Sequence, residues 1–102
     1  MSEAIPRDRV ERMAAKFRML SDATRLTILA CLMTGGEKNV GEVAAATGCA
    51  TANVSKHLKL LAENGILFRR KDGLQVFYRL DDPVWEQLCR LVSNSIHKDA
   101  DR

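Results

Sequence analysis

The apolar residues of this sequence change their spacing at Gly65, and that change restricts the fold more than any other feature. Before it, apolar side chains recur at the i, i+4, i+7 spacing of one helix face, at Val54, Leu58 and Leu61. After it, "ILFRRK" and "LQVFYRL" are rich in β-branched and aromatic residues and flank Asp72-Gly73, a strong hairpin signal. The sequence therefore predicts a helix over about 51–63 that leads directly into a β-hairpin.

Three more helices are predicted ahead of this one. Helical spacing of apolar residues indicates a first helix over about 6–20. A second helix can be capped by Asp22 (or Ser21) and ends at Gly35-Gly36, before the polar loop "TGGEKN". A short alanine-rich helix over about 40–46 then precedes the fourth.

A fifth helix is predicted after the hairpin, over about 82–97, with Asp82 as cap and Pro83 in the first helical position. The order is thus α-α-α-α-β-β-α. A short helix, a tight turn and a polar-faced helix make a helix-turn-helix, and a basic hairpin directly after it makes a wing. The sequence predicts a mainly α winged helix-turn-helix with a small β-hairpin, as a single domain over 1–102.

Length and composition bound the class of protein. A chain of 102 residues with 46% hydrophobic and 28% charged residues is typical of one small globular domain. Its core has little margin, so a large apolar dimer interface would help it. The N-terminus has no apolar core of signal-peptide type, and no apolar run approaches the ~18 residues of a membrane span. Three widely spaced cysteines give no disulfide framework. We expect a cytoplasmic protein without a membrane partner.

The positive charge lies with the predicted fourth helix and wing. The net charge is +3, and residues 51–80 carry six basic and two acidic side chains. The outward face of the fourth helix can form hydrogen bonds throughout and has no acidic residue near its start. A surface of this kind suits a polyanion, although a solvated surface with no partner would look similar. As part of a winged helix-turn-helix, the helix would enter a major groove and the hairpin would lie along the neighbouring backbone or minor groove.

Four stretches make the chain resemble the arsenic-repressor (ArsR/SmtB-type) family of winged-helix transcription regulators. They are "LSDATRLTIL", "VGEVAAATG", "ANVSKHLKLLAENGIL" and "RRKDGLQVFYRLDDP", in matching order over about 20–83. The resemblance implies a cytoplasmic homodimer that binds double-stranded DNA. It would repress by occupying a palindromic promoter site and leave when an inducer binds. Which inducer this is, the sequence leaves unknown.

The predicted DNA contacts come from the fourth helix and the wing. They are Thr51, Asn53, Ser55, Lys56, His57, Lys59, Arg69, Arg70, Lys71 and Gln75. The basic residues of the wing could otherwise be a solvated hairpin end. Because Ala50 stands where the family has a capping serine, Thr51 would take over as the cap and shift the helix start by one residue. His57 either contacts DNA or forms a hydrogen bond inside the helix-turn-helix.

Dimer contacts and metal ligands are judged from the same resemblance. The family dimerises through its first and last helices, which agrees with apolar residues at Met13, Phe17, Trp85, Leu88 and Val92. One family metal site needs a Cys-x-Cys pair at the start of the third helix, where this chain reads "NVGEVA". Of the ligand positions on the last helix, only Asp82 is retained. We therefore expect no metal site, and no cofactor is indicated.

Two cysteines carry two interpretations. Some members of the family sense thiol chemistry with one cysteine on the second helix and one on the last. Cys31 and Cys89 lie on those helices but are displaced along them, Cys89 by about two turns and Cys31 by one residue. They are either a redox-sensing or persulfide-sensing pair or small packing residues. Cys49, in the turn, is expected to fill an apolar place.

Three classes of function were weighed. A sequence-specific DNA-binding repressor explains the charge placement, the motif order and the apolar outer helices. The alternative is a winged-helix protein-interaction module without DNA binding, which an acidic or apolar outward face on residues 51–59 would favour. That face is neither. The sequence has no Ser/His/Asp or Cys/His set, Gly-rich phosphate loop or clustered carboxylates, so we do not expect an enzyme.

Overall fold

The chain folds as a winged helix-turn-helix, as the sequence predicts. The computed structural model describes the backbone of residues 4–100 and the side chains of residues 4–96. Within that range the elements follow the order α1 (Arg7–Leu20), α2 (Ala23–Gly35), β1 (Lys38–Asn39), α3 (Val40–Thr47), α4 (Thr51–Glu63), β2 (Leu67–Asp72), β3 (Gln75–Leu80) and α5 (Pro83–Ala100). None of the helices in this range is both long and apolar enough to cross a bilayer.

Two of the helices of the helix-turn-helix region begin at side-chain caps. The Asp22 carboxylate accepts the backbone N–H of Arg25 at 2.9 Å and starts α2, which confirms the predicted cap. At the start of α3, Asn39 Oδ1 accepts the Glu42 N–H at 2.8 Å, and Glu42 Oε1 accepts the Asn39 N–H at 2.9 Å. This reciprocal pair is a capping box, and it fixes where α3 begins.

The start of α4 differs from the prediction for Thr51. Ala50 is the N-cap, with extended backbone at ψ 138, and its carbonyl accepts the Val54 N–H at 3.0 Å. Thr51 is therefore the first helical residue and not the cap, and the predicted shift of the helix start is wrong. Ala50 has no side chain that can accept a hydrogen bond, so the first amides of α4 lack a side-chain cap.

The sheet has one strand more than the sequence predicted. Its three antiparallel strands have the order β1-β3-β2. The predicted polar loop contains β1, in which Lys38 pairs with Tyr78 and Asn39 with Phe77. A strand of two residues carries no measurable alternation, so only its partner on β3 reveals it.

The predicted hairpin is confirmed, but its turn lies one residue further on than the Asp72-Gly73 signal. Asp72 pairs with Gln75, which leaves Gly73-Leu74 as the two-residue connection. Gly73 has φ 63, the positive value that a two-residue turn with glycine in its first position requires.

The core lies between the helix-turn-helix and the sheet. Its buried residues are Leu20, Ile28, Leu29, Leu32, Val43, Val54, Leu58, Leu61, Ile66, Leu67 and Tyr78. The apolar face predicted for α4 is thus fully buried. From α1 the core receives only Leu20, and from α5 only half-buried side chains such as Trp85 and Leu88. The first and last helices are therefore outer elements of the subunit.

A matched pair of substitutions tests this core. Leu58 is fully buried, whereas Leu74 at the turn of the wing is fully exposed. We expect Leu58→Ala to lower the free energy of unfolding by about 2–5 kcal/mol, because it leaves a cavity. Leu74→Ala should change it by less than about 0.5 kcal/mol. Urea denaturation measures both, and equal effects of the two changes would contradict the described packing.

Candidate nucleic-acid interface and dimer face

The outward face of α4 presents polar side chains opposite its buried apolar face. Thr51, Asn53, Lys56 and Lys59 are exposed, and Ser55 is half-buried. The structure thus brings five of the predicted contact residues together on the helix that follows the turn. The charged groups among them are both cations, so this surface attracts anions.

His57 turns partly inward from that face. It is half-buried, and its Nδ1 atom is buried without a hydrogen-bond partner among the described residues. The pKa of Asp22 is lowered, chiefly because its carboxylate accepts the Arg25 amide, and the nearby charges of Arg25 and His57 lower it further. His57 therefore lies close to the start of α2, and neither of its two predicted partners is engaged in the described part of the chain.

The register of the hairpin separates the three consecutive cations of the wing. Directly paired residues lie on the same face of a sheet, and successive residues alternate between faces. Arg69 pairs with Tyr78, and Lys71 with Val76, whereas Arg70 pairs with Phe77. Arg69 and Lys71 are thus on one face and Arg70 is on the other, although all three are exposed.

Arg70 is held by side chains of this chain. Its Nε donates to Glu37 Oε2 at 3.0 Å and its Nη2 to Glu37 Oε1 at 2.8 Å, while Nη1 lies 3.5 Å from the Asp72 carboxylate. The hydrogen bond from Arg70 lowers the pKa of Glu37, and the charges of Arg70 and Arg79 add to this. The carboxylate is therefore charged at neutral pH, and the pair is lost only when the pH falls through that lowered pKa.

Gln75, also predicted as a DNA contact, is engaged in the same region. Its Oε1 accepts a hydrogen bond from Asn39 Nδ2 at 2.8 Å. Sequence reasoning missed both Glu37 and Asn39 because each lies more than 30 positions from its partner. The only local signal was the capping-box spacing from Asn39 to Glu42.

The outer helices leave a large apolar surface exposed. A groove of about 830 Å³ runs between α1, α2 and α5. Of the predicted dimer residues, Phe17 and Val92 are about half exposed, at 50% and 52%, and both line this groove together with Leu88. Met13 and Trp85 are half-buried. The sequence analysis missed the contribution of α2 to this surface, from Leu26, Ala30 and Met33.

One contact joins the outer helix α1 to the end of α4. Lys16 Nζ donates a hydrogen bond to the Asn64 carbonyl, at the C-cap of α4. A cation is favourable at this end of a helix because the helix dipole is negative there. The helix that carries Phe17 is thus tied to the helix that carries the exposed lysines.

The three cysteines have free thiols and are half-buried. Cys49 packs against the core, as expected for the apolar place in the turn. Cys89 lines the apolar groove, and burial raises the pKa of its thiol. A raised pKa leaves less thiolate at neutral pH, which weighs against reactivity. Among the described residues, no group of three or more His, Cys, Asp or Glu side chains could hold a metal ion.

Known proteins match both the helix-turn-helix and the chain as a whole. A helix-turn-helix domain family matches residues 20–68. The CadC homolog of Staphylococcus aureus, a cadmium resistance transcriptional regulatory protein, is 44% identical over 74% of this chain and 62% of its own length. The arsenical resistance operon repressor of Escherichia coli K12 is 41% identical over 68% of this chain and 61% of its own. The chain thus spans less than two thirds of these two relatives.

A third relative is covered more fully. The biofilm growth-associated repressor of Xylella fastidiosa is 35% identical over 82% of this chain and 73% of its own length. The chain belongs to the ArsR/SmtB family. The members of this family are transcription regulators and not enzymes.

A solved structure extends the ArsR/SmtB match to nearly every residue. The crystal structure of the AntR antimony-specific transcriptional repressor superposes with a TM-score of 0.87 and 28% sequence identity, over 99% of this chain and 91% of that one. The outer helices and the wing of this chain are therefore shared with a family structure, which the shorter helix-turn-helix match leaves out.

Proposed function

We propose that this chain is a sequence-specific DNA-binding transcriptional repressor that acts in the cytoplasm as a homodimer. The observation that carries the proposal is the exposed, non-acidic face of α4, beside a wing that carries two unpaired cations in the described structure. The relatives named as repressors support the same activity. An interaction module without DNA binding gains no support from a face of this chemistry.

Each element of the interface has a separate role in the proposal. Asn53 and Thr51, near the start of α4, reach base edges in the major groove, where an amide or hydroxyl can distinguish bases. Lys56 and Lys59 neutralise phosphates on either side. The first amides of α4, which lack a side-chain cap, favour a phosphate at that end of the helix. Arg69 and Lys71 follow the backbone beside the groove.

The dimer is proposed on the apolar surface of the outer helices. Two copies that cover the groove along α1, α2 and α5 would shield side chains that a small core leaves exposed. A two-fold dimer binds a palindrome when its recognition helices are about one DNA turn apart, ~34 Å. We propose a palindromic promoter site on this ground.

The signal that releases the repressor is the least constrained part of the proposal. Cadmium, arsenical and antimony appear in the names of the relatives and of the solved neighbour. Within residues 4–96 of this chain the side chains offer no comparable ligand group. Cys31 on α2 and Cys89 on α5 stay a candidate redox pair, against which the raised pKa of Cys89 weighs.

The DNA contacts are tested by charge removal. Replacing Lys56 and Lys59 with alanine should weaken binding to every duplex and lower the slope of log affinity against log salt by about two, because each lost phosphate contact releases about one ion fewer. Asn53→Ala should instead erode the preference among sequences. Fluorescence anisotropy over a salt series measures both. Replacing the exposed Arg9 and Arg12 of α1 removes the same charge and should leave the slope unchanged; an unchanged slope in the lysine variant would overturn this use of α4.

The dimer is tested by placing charge in the groove. Leu88→Glu should give monomers that no longer hold a palindromic site. Because Leu88 also packs against the core of its own subunit, Val92→Glu serves as a second variant on a more exposed position. Leu74→Glu, on the wing, is the control and should stay dimeric. Sedimentation velocity reports the assembly, and folded dimers of both groove variants would rule out this interface.

The thiol interpretation is tested by oxidation. If Cys31 and Cys89 form a switch, mild oxidant or polysulfide lowers the DNA affinity of the native chain, and either Cys31→Ser or Cys89→Ser abolishes the response. Their Cα atoms would have to come within ~7 Å to form a disulfide. Cys49→Ser is the control, since Cys49 packs in the turn. A double Cys31/Cys89 serine variant that still responds removes the pair from the mechanism.

A further inference from the structure

One face of the sheet carries a continuous layer of charged and aromatic side chains. Asn39, Phe77 and Arg70 are neighbours across the three strands. The Arg70 guanidinium lies 4.9 Å from the centre of the Phe77 ring and reaches across β3 to Glu37, just before β1. A cation over an aromatic face is attracted to the ring, so Phe77 guides the long side chain across the sheet. We call the pair the Glu37–Arg70 clamp.

The clamp leaves Arg70 few donors for another partner. Nε and Nη2 are both on Glu37, and Nη1 faces Asp72. An isolated ion pair at a surface contributes little, but a bidentate pair within a network holds a defined geometry. A phosphate contact by Arg70 would have to displace Glu37, and no such displacement is needed for Arg69 or Lys71.

The segment that the clamp grips leads directly into the helix-turn-helix. Glu37 is followed by β1, and Asn39 caps α3 while its Nδ2 donates to Gln75 on β3. Two side-chain links therefore join the wing to the start of α3, one at Glu37 and one at Asn39. The distance between wing and recognition helix then depends on them, since the hairpin otherwise projects from the core with an almost wholly exposed β2.

We propose that Arg70 is a positioning residue for DNA binding, which acts through Glu37 to hold the wing in register with α4 and does not itself neutralise a phosphate. The inference rests on the proposed function. It assigns Glu37, an acidic residue, a favourable effect on binding to a polyanion. It also removes Arg70 and Gln75 from the direct contacts and leaves Arg69 and Lys71 as the cations of the wing.

The two possible roles of Arg70 give Glu37→Gln effects of opposite sign. If Arg70 contacts phosphate, removal of the neighbouring carboxylate frees the cation and strengthens binding. If Arg70 positions the wing, the same change weakens binding by roughly three- to tenfold. The probe is a 30-bp duplex selected from random-sequence DNA by the native protein, and the readout is anisotropy over a salt series. Glu86→Gln, which breaks the Glu86–Arg90 pair on α5, is the matched control and should leave affinity unchanged.

A double-mutant cycle completes the test. We expect Arg70→Gln to weaken binding about as much as Glu37→Gln, with little further loss in the double variant and an unchanged salt slope. The exchanged pair Glu37→Arg/Arg70→Glu should restore most of the affinity. A salt slope lowered by about one in Arg70→Gln, together with an exchanged pair that fails to recover, would show a direct phosphate contact and overturn the proposal.

Hydrogen exchange of the free protein separates this inference from the proposed function. Breaking the clamp should speed amide exchange in residues 37–40 and 75–80 by roughly threefold or more, equally in Glu37→Gln and Arg70→Gln. Arg69→Gln should leave those amides unchanged. Unchanged exchange in both clamp variants would overturn the clamp whatever DNA does. A native protein that selects no duplex would overturn the proposed function, and with it the role of Arg70 in DNA binding, while exchange still reports whether the pair holds the wing.

Discussion

Burial of one face of α4 is the interaction on which the rest of the structure depends. Val54, Leu58 and Leu61 are fully buried among residues of α2, α3 and the sheet. Because a helix is rigid, that burial fixes the direction of every other side chain on it. The exposed lysines and Asn53 face outward for this reason, and the same contact supports both the stability of the domain and the surface proposed to meet DNA.

The small core explains the character of the outer helices. The packing of α2, α3, α4 and the sheet is complete without most of α1 and α5, so their apolar side chains remain partly exposed. Burying apolar surface is favourable at about 25 cal/mol per Å², and a second copy is the partner that a repressor on a palindrome would offer. Lys16 then gives this surface a physical link to the end of α4.

The sheet decides how the basic wing is used. A charge count over residues 69–71 treats three cations as equivalent, but the register turns Arg70 away from its neighbours and toward Glu37. An acidic residue ahead of α3 thus acquires a part in a surface that is otherwise basic. Charge on a wing is informative only together with the face on which each side chain lies.

Most of the fold could be predicted from the sequence because its signals are local. The spacing of Leu58 and Leu61, the cap at Asp22 and the glycine of the hairpin each act over a few residues, and each element appears close to its predicted bounds. The errors also have local causes. Ala50 carries no capping signal although α4 begins after it, and β1 is too short to show a period.

The sequence by itself determined the order of helices and hairpin, the buried face of α4 and the polar face that this burial exposes. Only the tertiary structure decided which of those polar residues are engaged, since Arg70 meets Glu37 across 33 positions and Gln75 meets Asn39 across 36. Periodicity and capping come from bonds and contacts between near neighbours, which the sequence records directly. Contacts between distant residues arise only when the core has set the strands side by side, so their partners cannot be read from the spacing of residues along the chain.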